Sequence, residues 1–354
     1  MIKNLIDLED LPYSDLKEVI ILAGKIKDKP EDYSESCKGK IMATLFYEPS
    51  TRTQMSFQTA MLRLGGSTIG FDNPMNSSVA KGESLKDTIK IISGYADIIA
   101  MRHPLEGSAK AASLFSSVPL INGGDGGHFH PTQTLTDLVT LYNEKGRLDN
   151  LCIGLCGDLK NGRTVHSLIK TMSHFPNNRF ILISTDELGV PNYIKDALHA
   201  AGCKYEVLNN LHDAMPMLDV LYMTRIQRER FASEAEYKKQ QGVFVLDTKK
   251  LSLGKKDLKV LHPLPRVDEI TNEVDDDSRA IYFKQAVYGM YARMALIMLM
   301  LKEPVKNDEP LMNTHVQRCR NPKCITMAEE YLPHAFGDQG DMLICKYCDG
   351  RMLI

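Results

Sequence analysis

Short apolar segments alternate with amphipathic helical patterns along most of the chain, and this alternation constrains the fold more than any other feature. Strands separated by helices in this way form parallel sheets that are covered on both faces. The predicted strands fall into two series, at residues 41–46, 98–101 and 118–121 and then at residues 151–156, 180–183, 220–223, 243–246 and 260–261. The sequence therefore predicts two α/β domains, each a doubly wound parallel sheet, with ligands between them at the carboxyl ends of the strands.

The predicted domain boundaries lie where one series of strands ends and the next begins. Residues 1–133 form the first predicted domain, and residues 134–282 form the second. An apolar helix near residues 283–302 is expected to return to the first domain. Charged residues and prolines at residues 303–312 indicate a linker, which precedes a tail of different composition at residues 313–354.

Composition limits the classes of function. The chain has 354 residues, with 43 Lys plus Arg against 45 Asp plus Glu, so no basic surface for nucleic acid or membrane is indicated. The absence of Trp also argues against a base-stacking surface. The first ten residues carry acids and no apolar run, and the longest apolar run, at residues 294–301, is too short to span a bilayer. We therefore expect a cytoplasmic enzyme that binds neither nucleic acid nor membrane.

A hydroxyl-rich junction follows the first predicted strand. Pro49 interrupts the chain, and Ser50, Thr51, Arg52 and Thr53 then open an amphipathic helix. The first N–H groups of a helix are unpaired and lie at the positive end of its dipole, so this junction suits a phosphate. The guanidinium of Arg52 adds a bidentate donor for phosphate oxygens. The alternative is an ordinary helix, with Ser or Thr as its N-cap.

Four of the eight cysteines lie in the tail, with the spacing C-x4-C-x20-C-x2-C. These residues are Cys319, Cys324, Cys345 and Cys348. Two such pairs separated by a loop are typical of a tetrahedral zinc site. Disulfides are the alternative, but they are rare in the cytosol, and so short a tail cannot hold a core unaided. The sequence therefore predicts one structural Zn²⁺ per chain.

Residues 46–57 and six further motifs occur in the same order as in one enzyme family. The further motifs are Lys81-Gly82-Glu83-Ser84, Met101-Arg102-His103-Pro104, His130-Pro131-Thr132-Gln133-Thr134-Leu135 with Asp137, Gly157-Asp158-Leu159-Lys160-Asn161-Gly162-Arg163-Thr164, Tyr222-Met223-Thr224-Arg225-Ile226-Gln227 and His262-Pro263-Leu264-Pro265-Arg266-Val267-Asp268-Glu269. Over residues 1–302 the chain resembles the catalytic chain of the transcarbamoylase family, in its aspartate branch. The tail resembles the small zinc-binding β domain that ends the regulatory chain of bacterial aspartate transcarbamoylases.

The resemblance implies an aspartate carbamoyltransferase of de novo pyrimidine biosynthesis. In this reaction the amine of L-aspartate attacks carbamoyl phosphate, which gives N-carbamoyl-L-aspartate and phosphate without an organic cofactor. The residues that the resemblance assigns to carbamoyl phosphate and to catalysis are Ser50, Thr51, Arg52, Thr53, Ser77, Lys81, Arg102, His130 and Gln133. Those that it assigns to aspartate and to the reacting groups are Arg163, Arg225, Gln227 and the backbone carbonyls of Leu264 and Pro265.

The polar segment at residues 71–84 is predicted to be a long loop, which in a compact domain is often functional. In the family, the residues that match Ser77 and Lys81 enter the active site of the neighbouring subunit. The resemblance thus implies a homo-oligomer, a trimer with shared active sites. Without the resemblance, both residues are better read as solvated surface. The nucleotide-binding domain that normally precedes the zinc domain is missing here, so the usual control by CTP and ATP is not expected.

Several alternatives stay open at this stage. The glycines after residues 151–156 suggest a nicotinamide enzyme, although their spacing is G-x-x-G-x-x-x-x-G rather than G-x-G-x-x-G. An inactive scaffold with a zinc module is a further class, which the intact polar motifs disfavour. Ornithine is the alternative substrate. In ornithine enzymes, however, the corresponding motif resembles His-Cys-Leu-Pro, whereas this chain has His262-Pro263-Leu264-Pro265. Finally, His128 competes with His130 for the role of the active-site histidine.

Overall fold

The chain folds into two compact units. The residues described by the computed structural model are 2–9, 11–302, 311–312 and 314–353. Unit 1 consists of Met1–Thr132 and Met290–Ile354, so the tail belongs to the same unit as the first parallel sheet. Unit 2 consists of Gln133–Gly289.

The first sheet of unit 1 is parallel throughout. Its strands are β1 (Ile41–Phe46), β2 (Ser67–Phe71), β3 (Ile98–His103) and β4 (Leu120–Asp125), in the order β2-β1-β3-β4. The strand predicted at residues 41–46 is confirmed, whereas β3 extends two residues further than predicted and β4 begins two residues later. Strand β2 was not predicted, because this edge strand is largely exposed and lacks an apolar run.

The sheet of unit 2 is also parallel. Its strands are β5 (Cys152–Cys156), β6 (Arg179–Ile183), β7 (Lys204–Leu208), β8 (Val220–Met223) and β9 (Lys259–Leu261), in the order β7-β6-β5-β8-β9. The exposed edge strand β7 mixes charged and apolar residues and was not predicted. The strand predicted at residues 243–246 is wrong, because this stretch forms only one bridge, between Leu246 and Ile270. Phe244 and Leu246 of this irregular segment pack in the core of unit 2, whereas Val243 is exposed.

Helices separate most of the parallel strands, as the alternating pattern predicts. The α-helices are α1 (Tyr13–Asp28), α2 (Thr51–Arg63), α3 (Leu85–Ile92), α4 (Ser108–Ser113), α5 (Pro131–Lys145), α6 (Arg163–Ser173), α7 (Asn192–Ala200), α8 (Leu211–Ala214), α9 (Glu234–Gln240), α10 (Thr248–Ser252) and α11 (Tyr282–Met300). Short 3-10 helices occur at Pro30–Tyr33, Pro74–Asn76, Ser78–Lys81, Asp186–Leu188, Met215–Met217, Arg228–Arg230, Asn272–Asp276 and Ile325–Met327. Among the described residues, no helix is both long enough and apolar enough to cross a bilayer.

The tail forms a small antiparallel sheet. Its strands are β10 (Phe336–Gln339), β11 (Met342–Cys345) and β12 (Arg351–Leu353), in sequence order. Residues 303–310 of the predicted linker lie outside the described residues, as do positions 313 and 354 of the predicted tail domain.

The tail shares an apolar core with the first sheet of unit 1. Buried side chains in this core include Leu85, Ile89, Ala109 and Ala112 from α3 and α4, and Ile325, Leu332, Phe336 and Tyr347 from the tail. The tail backbone approaches Gly107 closely because glycine has no Cβ. A Cβ at this position would lie only 2.5 Å from the carbonyl oxygen of Tyr347. Since so few residues cannot bury enough surface alone, this shared core stabilises the tail.

Candidate active site and metal centre

The hydroxyl-rich junction lies where β1 leads into α2. Ser50 occupies the N-cap position, but its hydroxyl does not cap the helix and instead donates to Thr53 Oγ1 at 3.0 Å. The ordinary capping interpretation is therefore wrong for Ser50. Thr51 and Arg52 are exposed, and within the described part of the chain the Arg52 guanidinium has no hydrogen-bond acceptor. The junction thus presents hydroxyls, a free cation and unpaired helix N–H groups together.

Arg102 and His130 lie next to each other in unit 1. Arg102 Nη1 is 3.4 Å from His130 Nε2, and the Arg102 Nε donates to Glu48 Oε1 at 2.8 Å. Both side chains are largely buried, so the Glu48 carboxylate fixes the guanidinium in one orientation. Thr132 Oγ1 lies 3.4 Å from His130 Nδ1 and accepts from the Arg293 guanidinium. The Arg102 guanidinium and the His130 imidazole are thus close enough to stabilise the same developing negative charge.

The competing histidine, His128, does not share these contacts. Its ring bonds Asp125 through Nδ1 and Asp349 of the tail through Nε2, each at 3.1 Å. Burial lowers the pKa of His128, but the two carboxylates outweigh burial and raise the pKa to about 10. His128 is thus held as a cation between two acids, which favours a structural role.

The loop that carries Ser77 and Lys81 is more ordered than the sequence indicates. It contains the 3-10 helices Pro74–Asn76 and Ser78–Lys81, and the Ser77 hydroxyl caps the second by accepting from Val79 N–H at 3.3 Å. Ser77 also donates to the Pro74 carbonyl, and Lys81 is exposed. The bonds of Ser77 thus stay within its own loop, and among the described residues no hydrogen bond joins this loop to Arg102.

Gln133, at the start of unit 2, is oriented by a fully buried carboxylate. Its Nε2 donates to Asp137 Oδ1 at 2.9 Å, and Tyr222 and Gln285 donate to the same carboxylate. Burial and the Asp137 charge raise the pKa of Tyr222 well above its usual value, so its hydroxyl stays a donor. Gln285 in turn accepts from the N–H of His262 at 2.9 Å. One buried network therefore connects Gln133 with the segment that contains Leu264 and Pro265.

The segment at Leu264 and Pro265 is held in an unusual backbone conformation. Leu264 has a φ of 53°, and the peptide bond between the two residues is cis. His262 Nδ1 accepts from the Leu264 N–H at 2.7 Å, so its Nε2 carries a proton and donates to the buried Glu269 at 2.6 Å. The two backbone carbonyls assigned to the reacting groups are thus presented by a fixed turn rather than by a free loop.

Arg163 and Arg225 follow two neighbouring strands of unit 2. Arg163 opens α6 after the turn that follows β5, and Arg225 and Gln227 follow β8, which pairs with β5. All three side chains are half-buried. Because parallel strands end at the same edge of a sheet, these cationic groups and the amide lie at one edge.

Gly157 allows close contact between the loop that follows β5 and the loop that follows β8. Gly157 has a φ of 120°, and a Cβ there would lie 2.2 Å from the Thr224 carbonyl oxygen, next to Arg225. A glycine is therefore needed here because the two loop backbones are too close for a side chain. This use differs from a dinucleotide-binding turn, in which the glycines admit a pyrophosphate.

The four tail cysteines form one buried cluster. Their Sγ atoms all lie within 4.8 Å of one another, and all four cysteines are unbridged, so the disulfide alternative is wrong. Two of the Sγ–Sγ distances are 3.6 Å, from Cys319 to Cys348, and 3.9 Å, from Cys324 to Cys345. Four sulfurs around a tetrahedral ion with bonds of about 2.3 Å lie about 3.8 Å apart. The cluster thus fits a tetrahedral metal ion.

The sequence analysis assigned no role to three acidic partners of the site, although it quoted Asp137 and Glu269 within motifs. Glu48 holds Arg102, Asp137 holds Gln133, and Glu269 holds His262. Asp137 lies four residues after Gln133 on α5, a spacing at which helical side chains meet, so this pair was accessible from sequence. Glu48 is 54 positions from Arg102, and Glu269 is 7 positions from His262 along an irregular segment, so helical spacing predicts neither pair.

Three family profiles together cover most of the chain. The profile described as the carbamoyl-phosphate binding domain of aspartate/ornithine carbamoyltransferase matches residues 3–143. The profile of the Asp/Orn binding domain matches residues 149–300. The profile of the metal binding domain of the aspartate carbamoyltransferase regulatory chain matches residues 314–353. The chain belongs to the aspartate/ornithine carbamoyltransferase family.

Curated relatives and solved structures agree with the family profiles. The catalytic subunit of aspartate carbamoyltransferase from Clostridium kluyveri is 57% identical over 84% of this chain and 98% of its own length. That of Lachnoclostridium phytofermentans is 58% identical with the same coverage. The catalytic subunit structure of the M. jannaschii aspartate transcarbamoylase is 47% identical, with a TM-score of 0.80, and the match covers 85% of this chain and 98% of that one. These carbamoyltransferase matches cover the two parallel sheets, and the metal binding profile covers the cysteine cluster.

The Asp137→Ala substitution tests the buried network. Three donors lose their acceptor in a fully buried position, so we expect the free energy of unfolding to fall by about 2–5 kcal/mol. We also expect kcat to fall, because Gln133 loses its fixed orientation. Chemical denaturation and steady-state kinetics measure both effects, with the exposed Asp196→Ala as control. Wild-type stability in Asp137→Ala would contradict the network.

Proposed function

We infer that this carbamoyltransferase is an aspartate carbamoyltransferase, EC 2.1.3.2. It transfers the carbamoyl group of carbamoyl phosphate to the amine of L-aspartate, giving N-carbamoyl-L-aspartate and phosphate in pyrimidine biosynthesis. The observation that carries this conclusion is the 57% identity over nearly the full length of relatives named as aspartate carbamoyltransferase catalytic subunits. The substrates follow from solved relatives: the Trypanosoma cruzi aspartate transcarbamoylase, 37% identical to this chain, binds N-(phosphonacetyl)-L-aspartic acid.

Unit 1 is proposed to bind carbamoyl phosphate. Its phosphate ligands are assigned as Ser50, Thr51, Arg52, Thr53 and Arg102, with Ser77 and Lys81 from a neighbouring subunit. The exposed cation of Arg52 at the start of α2 supports this assignment, since a helix N-terminus and a guanidinium both favour an anion.

Catalysis is proposed to rest on positioning and charge. The attack of the aspartate amine on the carbamoyl carbon creates a tetrahedral oxyanion, which Thr53, Arg102 and His130 stabilise by donating hydrogen bonds. The distance of 3.4 Å between Arg102 and His130 supports their action on a single oxygen. Gln133 and the carbonyls of Leu264 and Pro265 orient the carbamoyl and amine groups. The departing phosphate accepts the proton of the amine, so the scheme needs no nucleophilic side chain.

Unit 2 is proposed to bind aspartate. Arg163 pairs with the α-carboxylate, and Arg225 with Gln227 binds the β-carboxylate. Their position at the ends of the neighbouring strands β5 and β8 supports this assignment. An ornithine side chain ends in an ammonium group, which the Arg225 cation would repel, so this site selects aspartate.

Substitutions of the two arginines test the assignment. We expect Arg225→Ala to raise the KM for aspartate strongly and Arg52→Ala mainly to lower kcat, because each loses a charge-assisted pair of about 2–5 kcal/mol. Steady-state kinetics with each substrate varied in turn separate the two effects. The exposed Arg63→Ala serves as a control. An unchanged aspartate KM in Arg225→Ala would rule out the β-carboxylate role.

The active form is proposed to be a homotrimer with shared active sites. Exposed apolar side chains lie on α2, on edge strand β2 and on the following loop, namely Met55, Leu62, Ile69 and Met75. Exposed apolar side chains of this kind, on and near the edge strand of a sheet, favour association with a second copy. The same region carries the Arg52 junction and the loop with Ser77 and Lys81, so its pairing in a ring would join the two parts of one site.

Mixing of two inactive variants tests the shared site. Arg52→Ala and Lys81→Ala chains should each be inactive alone, whereas every mixed trimer regains one interface with both residues intact. Random mixing in equal amounts should restore about a quarter of the wild-type activity, since about three trimers in four are mixed and each has one native site. Unmixed variants at the same total concentration serve as controls. Verified mixed trimers without activity would contradict the shared site.

The cysteine cluster is proposed to hold one structural Zn²⁺ per chain. Four thiolates at tetrahedral distances prefer zinc, and four buried sulfurs cannot all ionise without a cation among them. The ion would stabilise the fold of the tail and would not contact substrate. We also propose a cytoplasmic location, because the reduced thiols suit a reducing compartment.

The Cys345→Ser substitution tests the zinc site. It removes one of four ligands, so we expect zinc to fall from one ion per chain to nearly none and the melting temperature to fall with it. Elemental analysis and calorimetry provide the measurements. Cys203→Ser, which changes a half-buried cysteine of unit 2, should keep both values. Retention of zinc and stability in Cys345→Ser would contradict a structural metal.

A further inference from the structure

The tail caps the N-terminus of α3. The Leu85 N–H donates to Glu329 Oε1 at 3.0 Å, and the Lys86 N–H donates to the Tyr331 hydroxyl at 2.9 Å. The next N–H, of Asp87, is satisfied locally by Ser84 Oγ at 3.1 Å. Two of the four N–H groups that a helix leaves unpaired at its start are therefore satisfied from the tail. The Glu329 carboxylate also lies at the positive end of the helix dipole, which adds to the stabilisation.

The capped turn continues directly from the loop that carries Lys81. Lys81 ends the 3-10 helix Ser78–Lys81, and three residues separate it from the first residue of α3. Among these three, Glu83 accepts from the Thr88 hydroxyl of α3 at 2.7 Å. The path of the chain from Lys81 to α3 is thus short and bonded at its end. A frayed first turn of α3 would free the base of this loop.

Two further contacts of the tail fall on segments with proposed site residues. Glu106, four residues after Arg102, forms a parallel bridge with Cys324, in which its N–H donates to Lys323 and its carbonyl accepts from Ile325. His128, two residues before His130, contacts Asp349 at 3.1 Å.

These contacts lie beside the cysteine cluster. Lys323 and Ile325 flank Cys324, and Asp349 follows Cys348. The fold of the two cysteine pairs therefore determines where the contacting groups lie. A shared apolar core alone would not require polar contacts at the start of α3 and beside Arg102 and His130.

We propose that Glu329 and Tyr331 of the tail are positioning residues for the carbamoyl-phosphate site, acting through the start of α3 on the loop that carries Lys81. The proposal rests on the function proposed above for Lys81. The tail is then more than a stabilising module, because its polar side chains set the geometry of a substrate-binding loop about 250 residues earlier in the chain.

The Tyr331→Phe and Glu329→Ala substitutions test the proposal. The phenylalanine ring in Tyr331→Phe can still pack on Phe115 and Lys86, so only the hydroxyl is lost. Each lost cap should raise the KM for carbamoyl phosphate about fivefold, with a small change in the KM for aspartate. Glu329→Gln keeps an amide oxygen as acceptor, so its KM for carbamoyl phosphate should stay close to the wild-type value.

The control is Glu330→Ala, which removes only an exposed ion pair with Arg318 in the same part of the tail. Its kinetics should match the wild type. Zinc content should stay unchanged in all variants, because none of them alters a cysteine. An unchanged KM and kcat for carbamoyl phosphate in the Tyr331→Phe, Glu329→Ala double variant, even with a lower melting temperature, would overturn the proposal.

Hydrogen exchange keeps this test separate from the proposed function. The double variant should lose protection at the Leu85 and Lys86 amides and in residues 77–84, whereas Glu330→Ala should not. If the wild type failed to carbamoylate aspartate, the proposed function would fail, and exchange would still decide whether the tail positions the loop. Wild-type protection of this segment in the double variant would overturn the proposal in either case.

Discussion

The parallel pairing of the strands in unit 1 is the constraint on which its proposed site depends. Because β1, β3 and β4 run in the same direction, the segments that follow them emerge at one edge of the sheet. Arg52 follows β1, Arg102 lies near the end of β3, and His130 follows β4. The direction of the strands therefore places the two arginines and the histidine at the same edge of the sheet. The sheet of unit 2 collects Arg163 and Arg225 in the same way.

Acidic side chains, two of them buried, then fix the polar groups near these edges. Glu48 holds the Arg102 guanidinium, Asp137 holds Gln133, and Glu269 holds the His262 ring. Groups that are oriented before substrate binds need no reorganisation when charge develops in the transition state. The structure supports an enzyme that works by preorganised charge.

Local patterns in the sequence predicted the features that depend on local physics. The apolar run at residues 41–46 predicted a buried strand and the cysteine spacing predicted four clustered ligands, and the structure has both. The edge strands β2 and β7 were missed because exposure on one edge removes the apolar run. Residues 243–246 were wrongly predicted as a strand, since an apolar run also suits an irregular core segment. The contact between Glu329 and Leu85 spans 244 positions, so no local pattern could predict it.

The central claim is that this enzyme carbamoylates aspartate. The most direct measurement supplies the purified, zinc-loaded protein with carbamoyl phosphate and equal amounts of L-aspartate and L-ornithine, and identifies the products by mass spectrometry. The account predicts N-carbamoyl-L-aspartate with a stoichiometric release of phosphate and almost no citrulline. Preferential formation of citrulline, or no carbamoylation of either amino acid, would contradict it.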